Sequence, residues 1–170
     1  MKCRSQAYLG LGCNAGNHYA RIASLHAAVK MVAQTRCIRI EQCSSIYRSP
    51  PWGYEQQEDF YNAAILAATT LKPDVLLRKL KDIERCLGRV PVVRWGPRII
   101  DIDILLFGNV VMDTPDLVIP HPYLLERPFA FAPVLEINPK ACLPDGRSLA
   151  IAVPDTADSS SLTIIGALNA

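Results

Sequence analysis

Two periods of apolar and polar positions run along this chain. Residues 6–12 form a short apolar run and read as a strand. Residues 17–34 are alanine-rich and helical in pattern, with Asn17 placed to cap the first turn. Residues 37–47 alternate and read as one strand. The stretch 48–58 is a loop, punctuated by Ser49-Pro50-Pro51-Trp52-Gly53. Residues 60–70 read as another strand. The clearest helix spans 73–87: Leu76, Leu80, Ile83 and Leu87 make one stripe, Pro73 suits the first turn and Gly88 closes it. A loop over 89–97 leads into a strand over 98–107, with 110–112 as its expected hairpin mate. Residues 128–137 read as a short helix. Beyond Pro144 the pattern weakens, and 162–168 reads as a terminal helix or a frayed tail.

The order strand, helix, strand, strand, helix, strand is the β-α-β-β-α-β ferredoxin-like pattern. It predicts an α+β sandwich, an antiparallel sheet with two helices on one face. One domain over residues 1–155 is expected, with 156–170 as a tail of no assigned structure. There are no internal repeats.

Composition adds limits. The chain has 170 residues, half of them hydrophobic and a fifth charged, which suits a globular fold. Net charge is +2, so any anion site has to be a local cluster. No apolar stretch reaches the roughly 18 residues needed to span a bilayer, and the first residues lack a signal-peptide core. A cytoplasmic monomer is expected. The six cysteines include no C-x-x-C pair and read as reduced, mostly buried small hydrophobes.

The chemistry concentrates in Arg94-Trp95-Gly96-Pro97-Arg98-Ile99-Ile100-Asp101-Ile102-Asp103. In a strand, Asp101 and Asp103 share a face with Cα atoms roughly 6.6–6.8 Å apart. Carboxylates so close repel, and a divalent cation relieves that, Mg²⁺ being the usual partner of nucleotide phosphates. Arg89, Arg94 and Arg98 read as forks for phosphate oxygens. The basic loop 89–97 beside a metal site reads as a lid. His121, in the rigid turn Ile119-Pro120-His121-Pro122, reads as a phosphate contact, with Arg127 six residues on. His18 and His26 read as surface or structural. Trp52, Tyr54, Phe60 and Phe129 with the amide of Asn62 suit a flat heterocycle, since rings stack and an amide reads the edge. Gly10-Leu11-Gly12-Cys13-Asn14-Ala15 imitates a dinucleotide fingerprint, but no acidic residue follows at the right distance. No Walker A motif occurs. The aromatic signature of RNA-binding ferredoxin-like sheets is missing too, so nucleic acid is not an expected partner.

Four blocks together resemble the 6-hydroxymethyl-7,8-dihydropterin pyrophosphokinases of folate biosynthesis: AYLGLGCNAGN, SSIYRSPPWGYEQQEDFYNAAI, IERCLGRV with RWGPRIIDIDILLFGN, and LVIPHPYLLERPFAFAPVLEINP. They run from about residue 7 to 139. The resemblance implies the ferredoxin-like fold and transfer of the β,γ-pyrophosphoryl group of ATP to the pterin hydroxymethyl oxygen, with AMP leaving. It implies that Asp101 and Asp103 hold two Mg²⁺ ions and that Arg89 and Arg98 act on the phosphates. Glu84, Trp95, Ile104, His121 and Arg127 would complete the ATP site. Pro50, Trp52, Phe60, Asn62 and Phe129 would line the pterin pocket, with Asn14 supporting it. Two departures stand out: Gly12-Cys13-Asn14 where the family reads G-S-N, and Pro91-Val92-Val93 where some relatives carry basic residues.

Overall fold

Strand β4 (Phe60–Thr69) fixes the layering, because all but its first residue are buried. Tyr61, Ala63, Ile65 and Ala67 join one core cluster, while Ala64 and Leu66 join another on the opposite face. A strand covered on both sides needs apolar residues at every position, and its run of alanines and branched residues supplies them. The computed structural model describes residues 4–52, 56–89, 97–157 and 159–170. Before β4 come β1 (Ser5–Cys13), α1 (His18–Gln34), β2 (Ile38–Cys43) and β3 (Ser45–Ser49). After it come α2 (Pro73–Cys86), β5 (Asp101–Phe107), β6 (Met112–Asp113), β7 (Val118–Ile119), α3 (Pro128–Ile137), α4 (Leu149–Ala152) and β8 (Thr163–Ala167).

The main sheet runs β5-β1-β4-β3-β8, with β2 also paired to β4, and its pairings are antiparallel. The expected β-α-β-β-α-β core is therefore present. Antiparallel neighbours on both sides of β1 also remove the dinucleotide-binding reading of its glycines, which needs a parallel β-α-β unit. α1 and α2 cover one face through Leu25, Ala28, Val29 and Val32 and through Leu76, Leu80 and Ile83. Each fully buried leucine there contributes about 1.5–3 kcal/mol. Asn17 caps α1 as expected, its side chain accepting from the Ala20 N–H at 3.0 Å.

Several expectations change. The helices are not confined to one face: α3 packs on the other through Ala130, Phe131 and Val134. The single strand over 37–47 is two, β2 and β3, parted at Ser44. That break stays satisfied, because the Ser44 N–H donates to the Ala64 carbonyl and the Ser44 hydroxyl accepts from the Ala64 N–H, both at 2.9 Å. β5 begins at Asp101 rather than 98, since the Arg98 backbone bonds to Asn14 and Ala15 instead of to a ladder. The segment expected as its hairpin mate contributes β6, which pairs with β7 in a separate ribbon. The terminal stretch, read as helix or frayed tail, contains β8, which pairs with β3. Of the described cysteines, all free, only Cys13 is buried; Cys37, Cys86 and Cys142 are exposed. Cys37 stands in a turn at positive φ and Cys86 ends α2, so neither reaches a core. No helix among the described residues is long and apolar enough to cross a membrane.

Candidate active site

The face of the sheet that α3 covers in part carries the polar cluster. Register places Asp101, Gly12 and Asn62 abreast across β5, β1 and β4, with Asp103, Gly10 and Ala64 in the next rank. The central glycines leave the floor low. A Cβ at position 12 would lie 3.1 Å from Asn62 Oδ1, so any side chain there would crowd the amide. Around this row lies an open cleft lined by Gly12, Trp52, Gln57, Phe60, Asn62, Arg98, Asp101, Arg127 and Phe129.

The carboxylate end is built by α2. β5 is an edge strand, and α2 supplies partners for its free edge. Glu84 is 1% exposed; its Oε1 accepts from the Ile102 N–H at 2.6 Å and from Lys81 Nζ at 2.8 Å. Lys81 Nζ also donates to the Ile102 carbonyl at 3.2 Å and stands 3.5 Å from Oδ1 of both aspartates. Gly88 at φ +90° reverses the chain after α2, so that the Arg89 N–H returns to the Glu84 carbonyl. The Arg89 side chain then reaches Glu84 and, at 2.5 Å, Asp101 Oδ1. Arg98 pairs with Asp101 Oδ2. Lys81, Arg89 and Arg98 thus face Glu84, Asp101 and Asp103.

These pairs set the charge states. Burial pushes the Asp101 carboxyl up, but Lys81, Arg98 and Arg89 outweigh it and bring it down to about 2. Asp101 is 13% exposed at its side chain and Asp103 41%, so Asp103 is the more open carboxylate. Burial raises the Glu84 carboxyl against the pull of Lys81. Both aspartates offer hard oxygens and already converge on one cation, Lys81, which is the donor set a divalent ion such as Mg²⁺ takes.

The other end is neutral. Asn62 is 4% exposed, and its Nδ2 donates to the buried Ser49 hydroxyl at 2.9 Å. Phe60 and Phe129 stand on the walls. Between the ends, the Arg127 guanidinium lies 4.3 Å from the Trp52 ring and 4.5 Å from Tyr123. Asn14 ties the site together: its Oδ1 accepts from the Arg98 N–H at 2.8 Å, and its Nδ2 donates to Gln57 Oε1 at 3.0 Å. The His121 N–H donates to the Leu105 carbonyl, holding its turn to the end of β5. Burial lowers the His121 pKa more than Asp103 and Asp101 raise it. Its Nδ1 accepts from the Tyr123 N–H at 3.2 Å, which places the proton on Nε2.

The sequence matches the family model of 7,8-dihydro-6-hydroxymethylpterin-pyrophosphokinase (HPPK) over residues 8–139. The chain belongs to this HPPK family. It is 44% identical over 135 residues to the 2-amino-4-hydroxy-6-hydroxymethyldihydropteridine pyrophosphokinase of Methylorubrum extorquens, covering 79% of this chain and 84% of the relative. Against the enzyme of that name from Aquifex aeolicus, identity is 42% over 137 residues, 81% and 82% of the two chains. A solved Plasmodium falciparum HPPK-DHPS triple variant with pterin and p-hydrobenzoate superposes with a TM-score of 0.72 at 14% identity. It covers 97% of this chain but 48% of that one, and carries the fold alone.

Within this HPPK chain the expected residues are not all brought together. Asp101, Arg98, Trp52, Phe60, Asn62, Arg127 and Phe129 share the cleft. Asp103, Glu84 and Arg89 join it through the ion-pair network. The side chain of Ile104 is not brought in: it is buried in the α1–α2 core, on the face opposite the aspartates. Pro50 is exposed and lies outside the lining. Trp95, Arg94, Tyr54 and most of the expected lid, 90–96, lie outside the described residues. Sequence reasoning missed Lys81, Gln57 and Ser49. Lys81 follows Leu80 and precedes Ile83 and Glu84, all buried, so its place beside the inner stripe of α2 was the available signal.

Proposed function

We infer that the protein transfers the β,γ-pyrophosphoryl group of ATP to the hydroxymethyl oxygen of 6-hydroxymethyl-7,8-dihydropterin, releasing AMP, a step of folate biosynthesis. The observation that carries this reading is the row Asp101–Gly12–Asn62. It sets a carboxylate end and a neutral, aromatic-walled end in one cleft with a side-chain-free gap between them. A phosphate donor and a flat acceptor need that division.

Asp101 and Asp103 are the residues to hold Mg²⁺, two ions in this reading. Bound there, the metal supplies charge neutralisation at the phosphate oxygens. The protein's own residues supply the rest. Arg89 and Arg98, which pair with carboxylates in the free protein, exchange them for phosphate oxygens when nucleotide arrives. Arg127, steadied by Trp52 and Tyr123, adds a third fork. His121 donates from Nε2 to the nucleotide phosphates. Phe60 and Phe129 stack on the pterin, and the Asn62 amide, fixed by Ser49, reads its edge. This holds the acceptor oxygen in line with the β-phosphorus. Positioning and charge stabilisation carry most phosphoryl transfers, so a strong general base is not needed.

The test is product analysis after incubation with Mg-ATP and 6-hydroxymethyl-7,8-dihydropterin. AMP and the pterin pyrophosphate are expected in equal amounts. ADP as the nucleotide product would make the protein a simple kinase.

A further inference from the structure

Lys81 has a position no part of the reaction above uses. Its ammonium is anchored by two hydrogen bonds, to Glu84 Oε1 at 2.8 Å and the Ile102 carbonyl at 3.2 Å. It then stands 3.5 Å from both Asp101 and Asp103, at the point where the two carboxylates converge. An ammonium has three donors, so four surrounding oxygens exceed its bonding capacity. The aspartate contacts are therefore charge contacts more than hydrogen bonds. Lys81 is held in place by α2 and the β5 edge through its bonds to Glu84 and the Ile102 carbonyl, and the two aspartates add their attraction.

We propose that Lys81 is a resident counter-cation that keeps the aspartate pair closed to free Mg²⁺ and makes metal entry depend on nucleotide. The charges give the reason. In the free protein Lys81, Arg89 and Arg98 already balance Glu84, Asp101 and Asp103. A bare divalent ion would add two positive charges to carboxylates already balanced by these cations, beside an anchored ammonium and with Arg127 also acting on Asp103. Nucleotide brings its own negative charge, which occupies the arginines and Lys81 while the aspartates turn to the metal. Metal and nucleotide thus bind as a unit. This proposal rests on Asp101 and Asp103 being the metal ligands.

The test uses the whole protein and Mn²⁺, whose free form is read by electron paramagnetic resonance. In the absence of nucleotide, Lys81→Gln should bind Mn²⁺ about tenfold more tightly than the unaltered protein, as expected for removing one nearby like charge in a partly screened site. Lys81→Met, which keeps the stem without the charge, should behave in the same way. Lys81→Arg should restore weak binding. Unchanged Mn²⁺ affinity in both Lys81→Gln and Lys81→Met overturns the proposal. Asp103→Asn, measured with ATP present, separates the two levels: weakened Mn²⁺ binding there upholds the ligand assignment even when the Lys81 proposal fails. Undiminished binding in both Asp103→Asn and Asp101→Asn removes that assignment.

Discussion

The two ends of the cleft are satisfied in opposite ways. At the Asp101 end every carboxylate is already paired, with Lys81, Arg89 and Arg98 crowded on Glu84, Asp101 and Asp103. At the Asn62 end one neutral hydrogen bond to Ser49 fixes an amide between aromatic walls. In the proposed reaction the first end works by exchanging partners, and the second keeps its own. Substitutions at the charged end should therefore alter rate, and those at the neutral end should alter acceptor affinity.

The largest expected effect is on turnover. Asp101→Asn or Asp103→Asn should slow AMP release by on the order of a thousandfold, the loss of several kcal/mol of charge stabilisation, and steady-state rates at saturating substrates read it. Arg98→Ala should lower kcat by about a hundredfold while the pterin KM stays within about twofold, since a phosphate contact acts mainly in the transition state. A larger change in pterin KM than in kcat would erase the division between the ends. Asn62→Ala should do the reverse: pterin affinity falls by about tenfold or more while ATP affinity holds, as calorimetry can measure. It should also cost about 1–2 kcal/mol of stability, because the buried Ser49 hydroxyl loses its partner.

The smallest effect is on pH dependence. The Asp101 carboxyl is lowered to about 2, below its unfolded value near 4, so its charge stabilises the fold above that value and the benefit fades as pH falls toward 2. Asp101→Asn should therefore be less stable than the unaltered protein at pH 7, by about 2 kcal/mol at most, with the gap closing between about pH 4 and 2. Urea midpoints across that range measure it. A gap constant with pH would mean that the ion pairs at this end contribute nothing.

The elements with strong periodicity were legible in the sequence. The α2 stripe, the apolar β4 and the Asp101/Asp103 pair follow from residue pattern alone. What stayed hidden depends on single hydrogen bonds or on distant partners. The division of β2 from β3 rests on Ser44, whose N–H and hydroxyl both bond to Ala64, and other residues around it keep strand propensity. β8 is a five-residue edge strand with an exposed Ile164, so its sequence favours no one structure until β3 lies beside it. Lys81 is the sharpest miss. A lysine on an amphipathic helix reads as solvated, and only the β5 edge, reached from a distant part of the chain, turns it inward. The resemblance supplied Glu84 as an ATP-site residue; the structure assigns it an additional structural task, holding the Ile102 N–H.

The separability of the two ends can be measured directly by calorimetric titration of Asp101→Asn with 6-hydroxymethyl-7,8-dihydropterin. The expected result is an affinity equal to that of the unaltered protein in a variant that barely turns over. An affinity that falls together with turnover would contradict the account, because Asp101 would then be shaping the acceptor pocket rather than serving the phosphate donor.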